Sequence, residues 1–147
     1  LLGYASGIAT HVRKVVDRVE ERAQSLGIPA PRVLATRKTH PGLRDLALLA
    51  VQVGGGAVHR RDLASGVLVK DNHLKILGGI DRIPSEAMRG GMLEVSSLEE
   101  ARQASRLPLR GLLLDNFAPE RLRETLDWIA RHQSSWEVEV SGNIVLE

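Results

Sequence analysis

Gly111-Leu112-Leu113-Leu114-Asp115 decides how this chain folds. Its aliphatic residues sit at successive positions, so the strand it predicts is apolar on both faces. That is the pattern of a parallel sheet covered by helices, not of a half-solvated antiparallel ribbon. The run then closes on a carboxylate. Outward from it the arrangement recurs: Val67-Leu68-Val69 ends on Lys70, Met92-Leu93 on Glu94, Trp136 to Val138 on Glu139, and Val33-Leu34-Ala35-Thr36 on Arg37 and Lys38. Charges are costly to bury, so charges closing buried strands point to a mouth where strand ends meet water and ligand. Cations and carboxylates both collect there, which suits an anionic substrate accompanied by a metal ion.

Helices are expected between these runs. Residues 6–26 carry Ile8, Val12, Val15, Val16, Val19, Ala23 and Leu26 at helical spacing, with Ser6 as a plausible N-cap and Gly27, Pro29 and Pro31 as the stop. Pro41-Gly42 opens a second helix bearing Leu43, Leu46, Ala47, Leu49 and Ala50, closed by Gly54-Gly55-Gly56. Ser97 and Glu100 form a capping box for a helix to about Arg106, and Pro119 starts another with Leu122, Leu126, Ile129 and Ala130 on one face. The strand-end charges recur at roughly 20–35-residue intervals, the length of one strand–helix unit. Five such units are visible, fewer than a closed eight-unit barrel requires.

A length of 147 residues with 43% apolar content fits one domain with an ordinary core. Twenty basic residues against 18 acidic ones leave a net charge of only +2, and aromatics make up 3%, which argues against a nucleic-acid surface. The absence of cysteine excludes disulfides and thiolate metal sites and suits a reducing compartment. No run reaches the length of a membrane span, and the first residues lack the basic-then-apolar layout of a signal peptide. The chain begins on Leu1-Leu2 and stops on Glu147 in mid-pattern, so it is expected to be a piece of a longer one.

Several residues have the chemistry of a site. Arg37 offers a two-pronged guanidinium and Lys38 a point charge, although such a pair also fits a solvated loop. Gly54-Gly55-Gly56 permits close backbone approach or simply ends a helix; His59 and Arg60, just after it, suit an anion. Lys70 closes an aliphatic run, whereas Asp71 reads as a cap for the next helix. Glu94 and Asp115, hard oxygen donors one unit apart, are candidate Mg²⁺ ligands or ribose ligands, and either alone also fits an ion pair. Ser141-Gly142, after a strand, is a weak phosphate nest.

Taken in order, Ser6-Gly7-Ile8-Ala9-Thr10, Thr36-Arg37-Lys38-Thr39-His40-Pro41-Gly42, Gly54-Gly55-Gly56-x-x-His59-Arg60, Val67-Leu68-Val69-Lys70-Asp71-Asn72-His73, Leu113-Leu114-Asp115-Asn116-Phe117 and Val138-Glu139-Val140-Ser141-Gly142 resemble nicotinate-nucleotide pyrophosphorylase (carboxylating), the quinolinate phosphoribosyltransferase family. The resemblance covers nearly the whole chain. It implies a cytoplasmic enzyme of de novo NAD synthesis that joins quinolinate to phosphoribosyl pyrophosphate (PRPP) with Mg²⁺, yielding nicotinate mononucleotide, pyrophosphate and CO₂. It also implies an α/β fold, an incomplete parallel (β/α) barrel of the type II phosphoribosyltransferase kind preceded by a long helix, working as a homodimer or an assembly of dimers. On that pattern residues 1–30 are a linking helix from an N-terminal sandwich domain, and 31–147 a partial barrel truncated at its C-terminal end. Arg37, His59, Arg60 and Lys70 would hold the two quinolinate carboxylates. Lys38, Glu94 and Asp115 would serve PRPP and its metal, and Ser141-Gly142 the 5-phosphate; Lys70, Glu94 and Asp115 are the expected catalytic residues.

Departures from the family pattern are visible. The stretch from His73 to Glu94 is short, Glu94 stands alone where the family shows Glu-Val-Glu, and Asn143 replaces a second glycine after Ser141-Gly142. An arginine that the family lends to the neighbouring subunit's site is not in this stretch, so these residues alone are expected to have little activity. Related readings are a nicotinate phosphoribosyltransferase, a molybdenum-transport relative, or a non-catalytic remnant of such an enzyme.

Overall fold

Ile8, Val12, Val15, Val16, Val19 and Ala23 line one side of α1 (Leu2–Leu26) in the computed structural model, which describes residues 1–58, 66–142 and 144. Those residues form two units, residues 1–58 and residues 66–142 with 144. In the first unit α1 starts before Ser6: Leu1 is its N-cap, without a side-chain cap bond. Half-buried Tyr4, one turn ahead of Ile8, extends the apolar stripe backward, so Ser6 lies inside the helix and caps nothing. Gly27 ends α1 in the left-handed conformation at φ 66°, where a side chain would be strained.

The glycines after α2 (Arg44–Val53) have a packing reason. A Cβ on Gly54 would stand 2.6 Å from the Ala9 carbonyl oxygen and 2.8 Å from Val12 Cβ, so the loop lies directly on α1. Ala47, Leu48 and Ala50 are the buried residues of α2, whereas Leu49, expected on its apolar face, is exposed. The Val33–Thr36 run is not a ladder strand. Leu34 makes one parallel bridge to Ala57, held by Ala35 N–H to Ala57 O and Ala57 N–H to Val33 O, both 2.8 Å. Pro29 and Pro31 ahead of it lack amide donors, and Thr36 turns the chain by accepting from Lys38 N–H at 3.1 Å. The extended stretch is thereby cut to a single step, and the expected fifth strand contributes none.

The second unit holds a four-stranded sheet, all parallel, in the order β1 (Leu68–Val69), β2 (Met92–Val95), β3 (Gly111–Asp115), β4 (Glu137–Ser141). The crossovers are α3 (Asp71–Leu77) with 3-10 turns at Ile80–Arg82 and Ser85–Met88, then α4 (Leu98–Ala104), then α5 (Pro119–His132). The first of these is the shortened spacer, one seven-residue helix long. Lys70 rather than Asp71 is the N-cap of α3; its N–H donates to His73 Nδ1 at 2.9 Å, and Asp71 is the first helical residue. Ser97 caps α4 by accepting from Glu100 N–H at 3.2 Å. The Glu100 carboxylate reaches back one residue further than a capping box requires, accepting from Ser96 N–H at 2.7 Å.

The apolar core of this unit, with its crossover elements, lies on one face of the sheet. Leu93, Val95, Leu112 and Leu114 pack with Ile80, Ile83, Met88, Ala101, Ala104 and Ile129 in one buried cluster. Each fully buried leucine contributes about 2 kcal/mol of hydrophobic free energy. Sequential strand order with helices on one side is a singly wound sheet, without the order reversal of a doubly wound one.

Candidate active site

Register decides which side chains share the other face. Glu94 stands beside Leu113, Leu113 beside Glu139, and Asp115 beside Ser141. Lys70, one residue past β1, continues the Leu68–Met92 and Val69–Leu93 steps to stand opposite Glu94. Successive residues of a strand point to opposite faces, and residues side by side in a parallel sheet point the same way. Since Leu93, Val95, Leu112 and Leu114 face the helices, Lys70, Glu94, Asp115, Glu139 and Ser141 all face away from them. All five are half-buried. Lys70 and Asp115 do stand at strand ends, as expected. Glu94 and Glu139 do not, because β2 runs on to Val95 and β4 to Ser141. The polar groups therefore form a face as well as a rim.

On that face Lys70 Nζ donates to Glu94 Oε2. The Glu94 side chain is only 11% exposed against 38% for Lys70, so the pair closes over the carboxylate more than over the ammonium. Asp115 is held at both oxygens. Ser141 Oγ donates to Oδ1 at 2.7 Å across the β3–β4 step, and Asn116 Nδ2 donates to Oδ2 at 2.8 Å. Glu94, Asp115, Asn116, Ser96, Asp71 and Lys75 border one open cavity of about 650 Å³. Within it the Lys75 ammonium, 2.8 Å from Asp71, and then the Asn72 N–H hold the Asp71 carboxyl below the usual carboxylate range.

The expected metal ligands Glu94 and Asp115 thus share a cavity. The described residues include no cluster of three or more His, Cys, Asp or Glu side chains able to enclose an ion. Two hard carboxylates fit Mg²⁺ of the kind that completes its shell from substrate phosphates and water, and do not fit a metal held by protein alone.

The other expected residues are placed as follows. Arg37 and Lys38 belong to the first unit, Arg37 half-buried with its carbonyl accepting from Arg44 Nη2 at 3.2 Å, and Lys38 exposed. Lys38 borders a cavity of about 530 Å³ there with Tyr4, Ile8, Thr39 and His40. Gly142 follows β4 at φ 106°. His59, Arg60 and Asn143 lie outside the described residues. Asn116 was missed as a partner of Asp115. Its signal is an asparagine directly after a strand-end acid, a position where the left-handed conformation is tolerated.

No helix among the described residues is long and apolar enough to cross a membrane. The chain is 38% identical to nicotinate-nucleotide pyrophosphorylase [carboxylating] from Homo sapiens, over 99% of this chain and 50% of the relative. It is 35% identical to a probable enzyme of the same name from Archaeoglobus fulgidus, over 97% of this chain and 55% of that one. Among solved structures it resembles the nicotinate-nucleotide pyrophosphorylase from Francisella tularensis, with a TM-score of 0.79 and 32% identity over 95% of this chain and 48% of that one. The enzyme from Ehrlichia chaffeensis gives 0.80 and 29% over 97% and 50%. The chain spans about half the length of the curated relatives it matches. Residues 8–147 match the family model of the C-terminal domain of quinolinate phosphoribosyl transferase, and the chain belongs to that family.

Proposed function

We propose that this domain carries the reacting centre of an enzyme that transfers the phosphoribosyl group of PRPP to quinolinate and releases CO₂, giving nicotinate mononucleotide and pyrophosphate for de novo NAD synthesis. The observation that carries the reading is the shared face of Lys70, Glu94, Asp115 and Ser141, four positions of the family motifs set by strand register. We read the four parallel strands as a segment of an incomplete α/β barrel whose inner surface is that face, in a cytoplasmic enzyme that works as a homodimer or an assembly of dimers.

The chemistry asks for two kinds of charge. Quinolinate bears two adjacent carboxylates, so Arg37, His59, Arg60 and Lys70 supply the cations that bind it. In the transfer, the bond from the sugar's anomeric carbon to pyrophosphate breaks and one to the pyridine nitrogen forms. Positive charge develops on the sugar, which the carboxylates of Glu94 and Asp115 favour; Lys38 answers the negative charge on the leaving group. The Ser141-Gly142 turn offers a backbone amide to the 5-phosphate, while the Ser141 hydroxyl stays on Asp115. Glu94 and Asp115 would hold Mg²⁺ together with the substrate's phosphates, and the ion would supply further charge neutralisation to pyrophosphate. Decarboxylation then breaks the bond from the ring to the carboxylate beside the nitrogen. The electron pair stays on that ring carbon, stabilised by the adjacent positive nitrogen, until the carbon takes a proton.

The test is release of labelled CO₂ from quinolinate by the complete gene product with PRPP and Mg²⁺. Release that needs all three supports the reading. Consumption of nicotinate in preference, with quinolinate ignored, overturns it in favour of a nicotinate phosphoribosyltransferase.

A further inference from the structure

We infer that Asn116 is a positioning residue that sets the Asp115 carboxylate and the Ser141-Gly142 turn together, and so governs affinity for the sugar donor without touching quinolinate recognition. The inference rests on the reading of Asp115 as a PRPP and Mg²⁺ ligand. Three features of one residue carry it. First, Asn116 is the one residue other than glycine with positive φ among the described residues, at 54°. Asparagine tolerates that conformation because its short amide bonds locally. Here that backbone turn leaves Asn116 Nδ2 2.8 Å from Asp115 Oδ2, while Ser141 Oγ takes Oδ1. With a donor on each oxygen, the plane of the carboxylate is fixed and its remaining lone pairs are free for a ligand.

Second, Asn116 N–H donates to Ser141 O at 3.0 Å, carrying the β3–β4 ladder one residue past its last pair. Third, the contact with the next residue leaves no slack. A Cβ on Gly142 would stand 2.4 Å from Asn116 Oδ1 and 2.7 Å from its N. Gly142, at φ 106°, is therefore seated on Asn116, and the conformation of one fixes the other. A single asparagine thus joins the carboxylate assigned to the sugar and metal to the turn assigned to the phosphate. Partners of this kind, which orient a ligand rather than bind the substrate, commonly change metal affinity about 10–100-fold when removed.

Two variants separate the side chain from the backbone. Asn116→Gly keeps the left-handed backbone easily and deletes the amide; Asn116→Asp keeps the shape but turns a donor toward Asp115 into a carboxylate. Calorimetric titration of the complete gene product with PRPP in the presence of Mg²⁺, and separately with quinolinate, reads the effect. Affinity for PRPP should fall about 10–100-fold in both variants, with quinolinate affinity within about twofold of the parent. Asp115→Asn is the control. Loss of PRPP affinity in the control with neither Asn116 variant affected overturns the positioning role and leaves the functional reading standing. Equal loss for quinolinate in the Asn116 variants also overturns it, because the effect is then a general disturbance. An unaffected control overturns the assignment of Asp115, and this inference with it.

Discussion

Lys70 Nζ donates to Glu94 Oε2, tying the residue that closes β1 to the middle of β2 by opposite charge. On the proposed roles this joins a cation for quinolinate to a carboxylate for PRPP, so the two substrates' groups share one ion pair. Lys70→Met removes the ion-pair partner of a carboxylate that is 11% exposed. The expected cost is about 1–3 kcal/mol of stability, moderated because the lysine side is partly solvated, together with a loss of quinolinate affinity of about 100-fold. Denaturant unfolding and calorimetry check the two effects. Quinolinate affinity within twofold of the parent would remove Lys70 from the binding set.

Glu94→Gln makes the complementary change. The amide oxygen still accepts from Lys70, so stability should move by less than about 1 kcal/mol. The lost charge should weaken PRPP binding in the presence of Mg²⁺ by about 10–100-fold while quinolinate affinity holds, as two titrations on one variant would show. A parallel loss for both substrates would mean that Glu94 acts on the fold and not on the sugar donor.

The sheet was legible where physics acts between chain neighbours. Met92-Leu93 and Gly111 to Leu114 are short apolar runs, each closing on an acid, that fit a buried strand, and Pro119 marks the start of α5 because its missing N–H is unneeded in a first turn. The Val33–Thr36 run failed because its aliphatic composition says nothing of a partner, and only the single bridge to Ala57 is available. Site chemistry was legible as residue types, and its geometry was not. That Glu94 lies inside β2 rather than at its end depends on how far pairing with β3 continues, up to Val95 beside Leu114. The Ser141 bond to Asp115 depends on a β3–β4 register linking residues 26 apart, which no local pattern encodes.

Leu114 tests the helix-covered face. It is fully buried between α4, α5 and the neighbouring strands, on the side opposite the candidate site. Leu114→Ala should cost about 2–5 kcal/mol, from lost apolar burial plus the cavity left behind. Urea unfolding would show a lower midpoint with an unchanged slope. A cost below about 1 kcal/mol would mean that the core there is looser than the packing of Leu112, Leu114 and Ile129 indicates.

Asp71 and Lys75 give a pH prediction whose sign follows from their pairing. The Lys75 ammonium is the largest cause lowering the Asp71 pKa, followed by the Asn72 N–H, and Asp71 in turn raises the Lys75 pKa. A depressed carboxyl pKa contributes stability that is present above the unfolded value and lost as pH falls through the folded one. The raised ammonium pKa contributes below its unfolded value and is lost as pH rises through the folded one. The pair therefore supports the first turn of α3 across neutral pH and lets go at both extremes. Both groups are solvent-exposed, so the effect is a local one on α3, read best by NMR titration of the Asp71 carboxyl carbon. The midpoint should lie below that of an unpaired aspartate, and Lys75→Met should raise it. An unmoved midpoint would assign the depression to the Asn72 amide and to Lys70 instead, and the (i, i+4) pair would then add nothing to the helix that begins at the cavity.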